Sequence, residues 1–253
     1  MMPEVCLSID VEDWYDGMEV LGEPTPKPAG ARSGLEGLAE HLAARPSTDG
    51  PAPRVTLFVV GNYVDTVADE LAGLLASGHE LASHGPDHGH LPEEYSGLVE
   101  WLRTGRCALE DRFQAPVKGF RSPRFDRPAA IGLDGFRSAI AEAGFEYVSD
   151  THVLGEASPV RELPVLSFHG FPMGGGSYQR LLPVPVVTGS VNRSDGPVVL
   201  YYHSYDFGAT LPRVSSIRTL AAAKQLLGRS RVDKAFSAVL SRYGSKACVD
   251  VQR

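Results

Sequence analysis

Five short polar signatures stand in a fixed order along the chain: Ile9-Asp10-Val11-Glu12-Asp13-Trp14, His84-Gly85-Pro86-Asp87-His88, Arg121-Ser122-Pro123, Asp150 and His203. His84 and His88 are four apart, a spacing at which both imidazoles can face one ion, and Gly85-Pro86-Asp87 favours a tight turn between them. Asp10 closes an apolar run and is followed by Glu12, Asp13 and Asp16. Carboxylates crowded in this way repel unless a cation or an arginine is near, so one is expected to bind metal and another to take a proton from water. Arg121 can clamp such a carboxylate through its planar guanidinium. His203 ends the run Val198-Val199-Leu200-Tyr201-Tyr202 and is the natural proton donor to a leaving amine. Each signature alone also fits a blander role: a polar turn, a solvated acidic loop, a surface arginine, a core histidine. In combination they fit metal-assisted hydrolysis of an amide or ester.

These residues need strand ends to hold them. Alternating strand-like and helix-like segments predict βα units around a mainly parallel sheet. Strands are expected at 5–10, 54–61, 80–83, 117–120, 146–149, 163–168 and 198–203. Helices are expected after Ser33 (Leu35, Leu38 and Leu42 on one face), over 67–75 with Gly78 as stop, from Pro92 to about 113, and over 136–143. A C-terminal helical region runs over 219–243, broken near Gly228. The expected fold is α/β: a barrel-like arrangement of about seven strands in one domain spanning 1–253, with the polar residues at the strands' C-terminal ends.

Composition narrows the function classes. With 253 residues, 43% hydrophobic, 22% charged and a net charge of −7, the chain reads as a mildly acidic globular protein. Lys and Arg form no dense patch, which speaks against a nucleic-acid partner. The longest apolar runs, 55–60 and 198–202, are strand-length and predict no membrane span. Residues 1–4 lack a signal-peptide pattern, which points to a cytoplasmic location and an intracellular substrate. Three widely spaced cysteines argue against a disulfide framework, and Cys6 and Cys107 read as small core residues.

The order of motifs resembles the NodB-type polysaccharide deacetylases, carbohydrate esterase family four, over roughly residues 5–207. The resemblance rests on 55–61 (VTLFVVG), on 78–85 (GHELASHG) with His88, and on 119–123 (GFRSP). The stretch 174–183 (GGGSYQRLLP), with the 10–14 opening, is similar to a branch found with bacterial exopolysaccharide loci. The resemblance implies a distorted (β/α) barrel and a divalent metal, most often Zn2+, with Co2+, Mn2+, Ni2+ or Fe2+ as alternatives. His84 and His88 would be ligands, Asp10 the general base held by Arg121, and His203 the general acid. A backbone N–H near Arg124 would help hold the oxyanion. The implied activity is N-deacetylation of an acetylated amino sugar, releasing acetate.

Two positions depart from the family pattern. Val11 follows Asp10 where the family has a second aspartate, so the carboxylate ligand is Glu12 or Asp13. Asp13 is preferred for its length, and the choice turns on whether the chain stays extended. Asp150 is assigned to orient His203, although its spacing from Tyr147 is unusual. Trp14, beside Tyr15, either stacks on a sugar or caps the barrel mouth. Tyr178 and Arg180, after the Gly174–Gly176 loop, are candidate sugar contacts, with a purely structural loop as the alternative. Other readings are a hydrolase of non-sugar amides and a non-catalytic carbohydrate-binding relative.

Overall fold

A computed structural model describes residues 3–20, 33–44, 51–150, 158–167, 173–208 and 227–251. Seven strands lie in one parallel sheet: β1 (Val5–Val11), β2 (Thr56–Val59), β3 (Glu80–Ser83), β4 (Gly119–Phe120), β5 (Tyr147–Val148), β6 (Arg161–Glu162) and β7 (Val198–His203). Their order is β6-β5-β4-β3-β2-β1-β7. Past β6 the chain reaches the opposite edge, where Val165 bridges Val199 and the Leu166 N–H donates to the Val199 carbonyl at 2.9 Å. The sheet therefore curls into a distorted (β/α) barrel, the fold class the sequence predicted. The strand expected at 163–168 is displaced: β6 covers only Arg161–Glu162, Val165 forms an isolated bridge, and residue 168 lies outside the described residues. Those expected at 117–120 and 146–149 shorten to two residues each.

Around the sheet pack α1 (Trp14–Val20), α2 (Leu35–Ala43), α3 (Ala68–Ala76), α4 (Tyr95–Phe113), α5 (Gly132–Glu142), α6 (Gly176–Gln179), α7 (Val184–Asn192) and α8 (Val232–Tyr243). Helices α2 to α5 were legible from their apolar stripes; the cap of α2 falls on Gly34 rather than Ser33, whose Oγ nevertheless accepts the Leu35 N–H at 3.2 Å. Helices α1, α6 and α7 were not expected. Gly228 has φ 75°, the break anticipated before α8, while 219–226 lie outside the described residues. Among the described residues no helix is long and apolar enough to cross a membrane.

A parallel strand buried on both faces alternates its side chains between two environments. On β1, Val5, Leu7, Ile9 and Val11 pack outward under the helices, in the larger apolar cluster. Cys6 belongs to a second cluster inside the barrel, with Phe58, Tyr147, Val199 and Tyr201. Along that inner face the same alternation raises Ser8, then Asp10, then Glu12 toward the barrel's C-terminal rim. All three cysteines are free; Cys6 and Cys248 are buried, whereas Cys107, read as core, is only half-buried.

At the opposite end, buried His79 accepts the Val55 N–H through Nδ1 at 3.2 Å. Burial, helped by the charge of Arg54, lowers its pKa. The unfolded chain, with an imidazole near about 6.5, then binds more protons than the fold. This contribution is fully present above that value and is lost as pH falls below it. Urea unfolding midpoints from pH 8 to 5 should therefore drop more steeply in the wild type than in His79→Gln; parallel curves would contradict the assignment.

Candidate metal and active site

The first decision at the site is made where β1 stops. The strand stays extended through Val11, and the Val60 N–H still donates to the Val11 carbonyl at 3.1 Å. Asp10 and Glu12 therefore share the inner face, and Asp13 leaves it. Asp13 instead opens α1, accepting the Tyr15 N–H on Oδ1 at 3.1 Å and the Asp16 N–H on its carbonyl at 2.9 Å. The preference for Asp13 over Glu12 gives way here, because an extended chain returns to the same face only at every second residue.

Glu12 Oε2 lies 2.9 Å from His88 Nε2 and 3.5 Å from His84 Nε2, with all three residues buried. One ligand atom from each falls within 4.8 Å of the others. His84 Nδ1 is 2.8 Å from the Arg121 carbonyl. That carbonyl only accepts, so Nδ1 is a donor there, and Nε2 is the atom that faces Glu12. Gly85, immediately after, has φ 84°, and a Cβ there would sit 2.2 Å from the Trp101 ring. The turn that brings His88 back thus requires glycine.

The electrostatics of this group would suit a cation. Burial alone would raise the Glu12 carboxyl, but the charge of His88, hydrogen bonds from both imidazoles and the charge of His203 hold it well below the usual carboxylate range. Burial would likewise lower His88, and Glu12 outweighs it, so that imidazole titrates above its ordinary value. Without another cation, protons on histidine balance the carboxylate. One carboxylate and two imidazoles converging in a buried spot are donors that suit Zn2+ and its first-row neighbours.

Beside this group Arg121 is fully buried and donates from Nη1 to Asp10 Oδ1 at 2.5 Å. Its Nη2 reaches Ser8 Oγ at 2.9 Å and Ser149 Oγ at 2.8 Å, and the guanidinium lies 4.1 Å from the Phe58 ring centroid. A charge so enclosed must be compensated, and removing its partners costs far more than the pair contributes when intact. Arg121→Met should destabilise the fold by about 3–5 kcal/mol, by stranding Asp10 in the interior; a denaturation midpoint within error of wild type would contradict this. Past Pro123 the chain takes two consecutive left-handed residues, Arg124 (φ 58°) and Phe125 (φ 54°), each costing on the order of 1 kcal/mol.

His203 faces Asp10 across the β1–β7 register. Its Nε2 lies 3.8 Å from Glu12 Oε1 and its Nδ1 3.5 Å from Asp206 Oδ2. Burial would lower this imidazole, but the hydrogen bond to Asp206 and the charges of Glu12, Asp206 and Asp10 push it up to about 9. Asp206, unselected by the sequence reading, also accepts the His203 backbone N–H at 3.0 Å, and is held below its usual pKa by His203 against the opposing effect of burial. Its signal was a carboxylate three residues after histidine, the spacing of a capping box at the 3-10 turn Ser204–Asp206. Asp150, expected in this role, is buried after β5 with its carboxylate 3.6 Å from Arg127 Nε.

The candidate sugar contacts separate. Trp14 is buried edge-on to Tyr15, which fits a cap on the barrel mouth. Arg124 Nη1 is 3.1 Å from Nε2 of exposed His90. Tyr178 is half-buried in α6, and Arg180 is buried at its C-terminal end, where its charge acts on Asp206. The glycines before them allow close approach: a Cβ on Gly175 would meet the Tyr201 hydroxyl at 2.6 Å, and one on Gly176 the Asp206 carboxylate at 3.0 Å.

With this geometry in place, comparison with known proteins gives two matching family models. Residues 52–148 match polysaccharide deacetylase, and residues 133–252 match a domain of unknown function, DUF3473. No curated protein matches the chain by sequence. Among solved structures, a candidate polysaccharide deacetylase from Mycobacterium smegmatis is 20% identical, with 96% of this chain and 87% of that one covered and a TM-score of 0.60. The Bc1960 peptidoglycan N-acetylglucosamine deacetylase is 12% identical, with 99% and 88% covered and a TM-score of 0.55. BA3943, a CE4 family pseudoenzyme from Bacillus anthracis, is 12% identical with a TM-score of 0.53; 99% of this chain is covered, and the chain spans 65% of that protein's length. At these identities the likeness establishes a shared fold, one that carries both active and inactive members.

Proposed function

We propose that this protein is a divalent-metal-dependent hydrolase that removes the acetyl group from an acetylated amino sugar. The observation that carries the reading is the convergence of Glu12, His84 and His88 between an arginine-held carboxylate, Asp10, and the imidazole of His203. Glu12, His84 and His88 would hold the cation, most readily Zn2+. When bound, such an ion acidifies water and polarises an acyl carbonyl. Asp10, its rotamer fixed by Arg121, takes the proton from the attacking water. A backbone N–H near Arg124 helps hold the developing oxyanion. His203 gives its proton to the departing nitrogen, so that the amide and water become a free amine and acetate. Tyr178 and Arg124 are the proposed sugar contacts, and the buried Arg180 and Trp14 would support the mouth from within.

A pure binding protein has no use for a base and an acid poised on either side of a cation site, which favours catalysis over a silent relative. The test is metal analysis of the purified protein, followed by acetate release from acetylated amino sugars and from non-sugar amides, with and without chelator. Chelator-sensitive release from the sugars is the expected result. Turnover confined to non-sugar amides would move the substrate class, and a metal-loaded protein without turnover on either would overturn the reading. The pH profile adds a second check. Because Asp206 raises His203, Asp206→Asn should lower the alkaline limb of kcat/KM by about a unit or more; an unmoved limb would remove Asp206 from this role.

A further inference from the structure

Tyr205 touches both halves of the site and has been given no part in it. It is buried, and its ring lies parallel to the His203 imidazole, with centroids 4.9 Å apart and planes 6° apart. Its hydroxyl is 3.5 Å from Glu12 Oε1, on the oxygen turned away from His84 and His88. The turn that carries it is tied to the same residue, since Ser204 Oγ donates to the Glu12 carbonyl at 3.1 Å. Glutamate has one more rotatable bond than aspartate, so a Glu at a ligand position must be held against rotation that aspartate would not have.

We propose that Tyr205 is a positioning residue with two separable actions. Its hydroxyl donates to Glu12 Oε1 and leaves Oε2 directed at the paired imidazoles, so that the carboxylate is set for a cation before one arrives. Its ring supports the face of His203, which also meets the Tyr201 ring edge-on with centroids 5.7 Å apart. The inference rests on the metal-site reading above. Groups that orient ligands typically change metal affinity by about 10- to 100-fold when removed.

The experiment compares wild type, Tyr205→Phe and Tyr205→Leu by competition titration of Zn2+ against a chromophoric chelator, and by kcat and KM at saturating Zn2+. The phenylalanine variant keeps the ring and loses the hydroxyl: its Zn2+ Kd should rise about tenfold or more, with kcat close to wild type. The leucine variant should show the same rise in Kd together with a fall in kcat and little change in KM. Thermal unfolding of the metal-free proteins separates these effects from a loss of fold, since Tyr205→Phe should melt with wild type. An unchanged Kd in Tyr205→Phe overturns the proposal while leaving the metal site standing. A wild-type protein that takes up no Zn2+ overturns the metal-site reading, and this inference with it.

Discussion

Replacing His84 by alanine should remove the bound metal and acetate release together. The imidazole supplies one of three donor atoms, and its Nδ1–H is what registers that donor on the Arg121 carbonyl. A site left with one carboxylate and one imidazole lacks the donors that three-ligand catalytic sites use. Zinc content after dialysis should fall from near one equivalent to near zero, and turnover should fall to background. Fold loss is a poor alternative explanation, because truncation leaves Asp10, Arg121 and the inner apolar cluster intact. Circular dichroism and the metal-free melting temperature should confirm this. An alanine variant that keeps a full equivalent of zinc would show that the cation sits elsewhere.

Asp10→Asn should separate binding from chemistry. Asparagine keeps an oxygen that can accept the Arg121 Nη1 hydrogen bond, so the local geometry survives, but it has no basicity with which to take a proton from water. Asp10 is absent from the donor cluster, so zinc content should stay near wild type. Loss of a positioned general base typically costs about 10²–10⁴ in rate, so kcat should fall by that factor with KM little altered. The contrast between the two variants is informative: one loses metal and rate, the other rate alone. Normal turnover in Asp10→Asn would remove Asp10 as the base.

Much of this was legible in the sequence, for identifiable reasons. The runs at 5–10, 54–61 and 198–203 contain β1, β2 (only Thr56–Val59 of the expected span) and β7, strands buried on both sides and therefore apolar enough to read. Each ends in or near a polar residue, which marks the rim of the barrel. Short strands such as Gly119–Phe120 and Tyr147–Val148 carry too few residues to show a period, so their limits were overdrawn. Glu12 and Asp13 were inseparable because the answer lay in where β1 ends, and hydrogen bonding to Val60 decides that. The alternation Cys6, Ser8, Asp10, Glu12 would have pointed to Glu12 had the strand been carried through Val11. Asp206 was overlooked because its link to His203 depends on a 3-10 turn with no apolar pattern. Asp150 was assigned by its order along the chain; its carboxylate pairs with Arg127, while Asp206, three places after the histidine, lies 3.5 Å from His203 Nδ1 and is the residue proposed for that role.

The central claim is that Glu12, His84 and His88 hold one cation, and anomalous diffraction at the zinc absorption edge from crystals grown with Zn2+ tests it most directly. The account predicts one strong anomalous peak bounded by a Glu12 carboxylate oxygen and the Nε2 atoms of His84 and His88, at about 2.0–2.2 Å from each. A peak ligated by Asp13 in place of Glu12, or no ordered peak within reach of the two imidazoles, would contradict it.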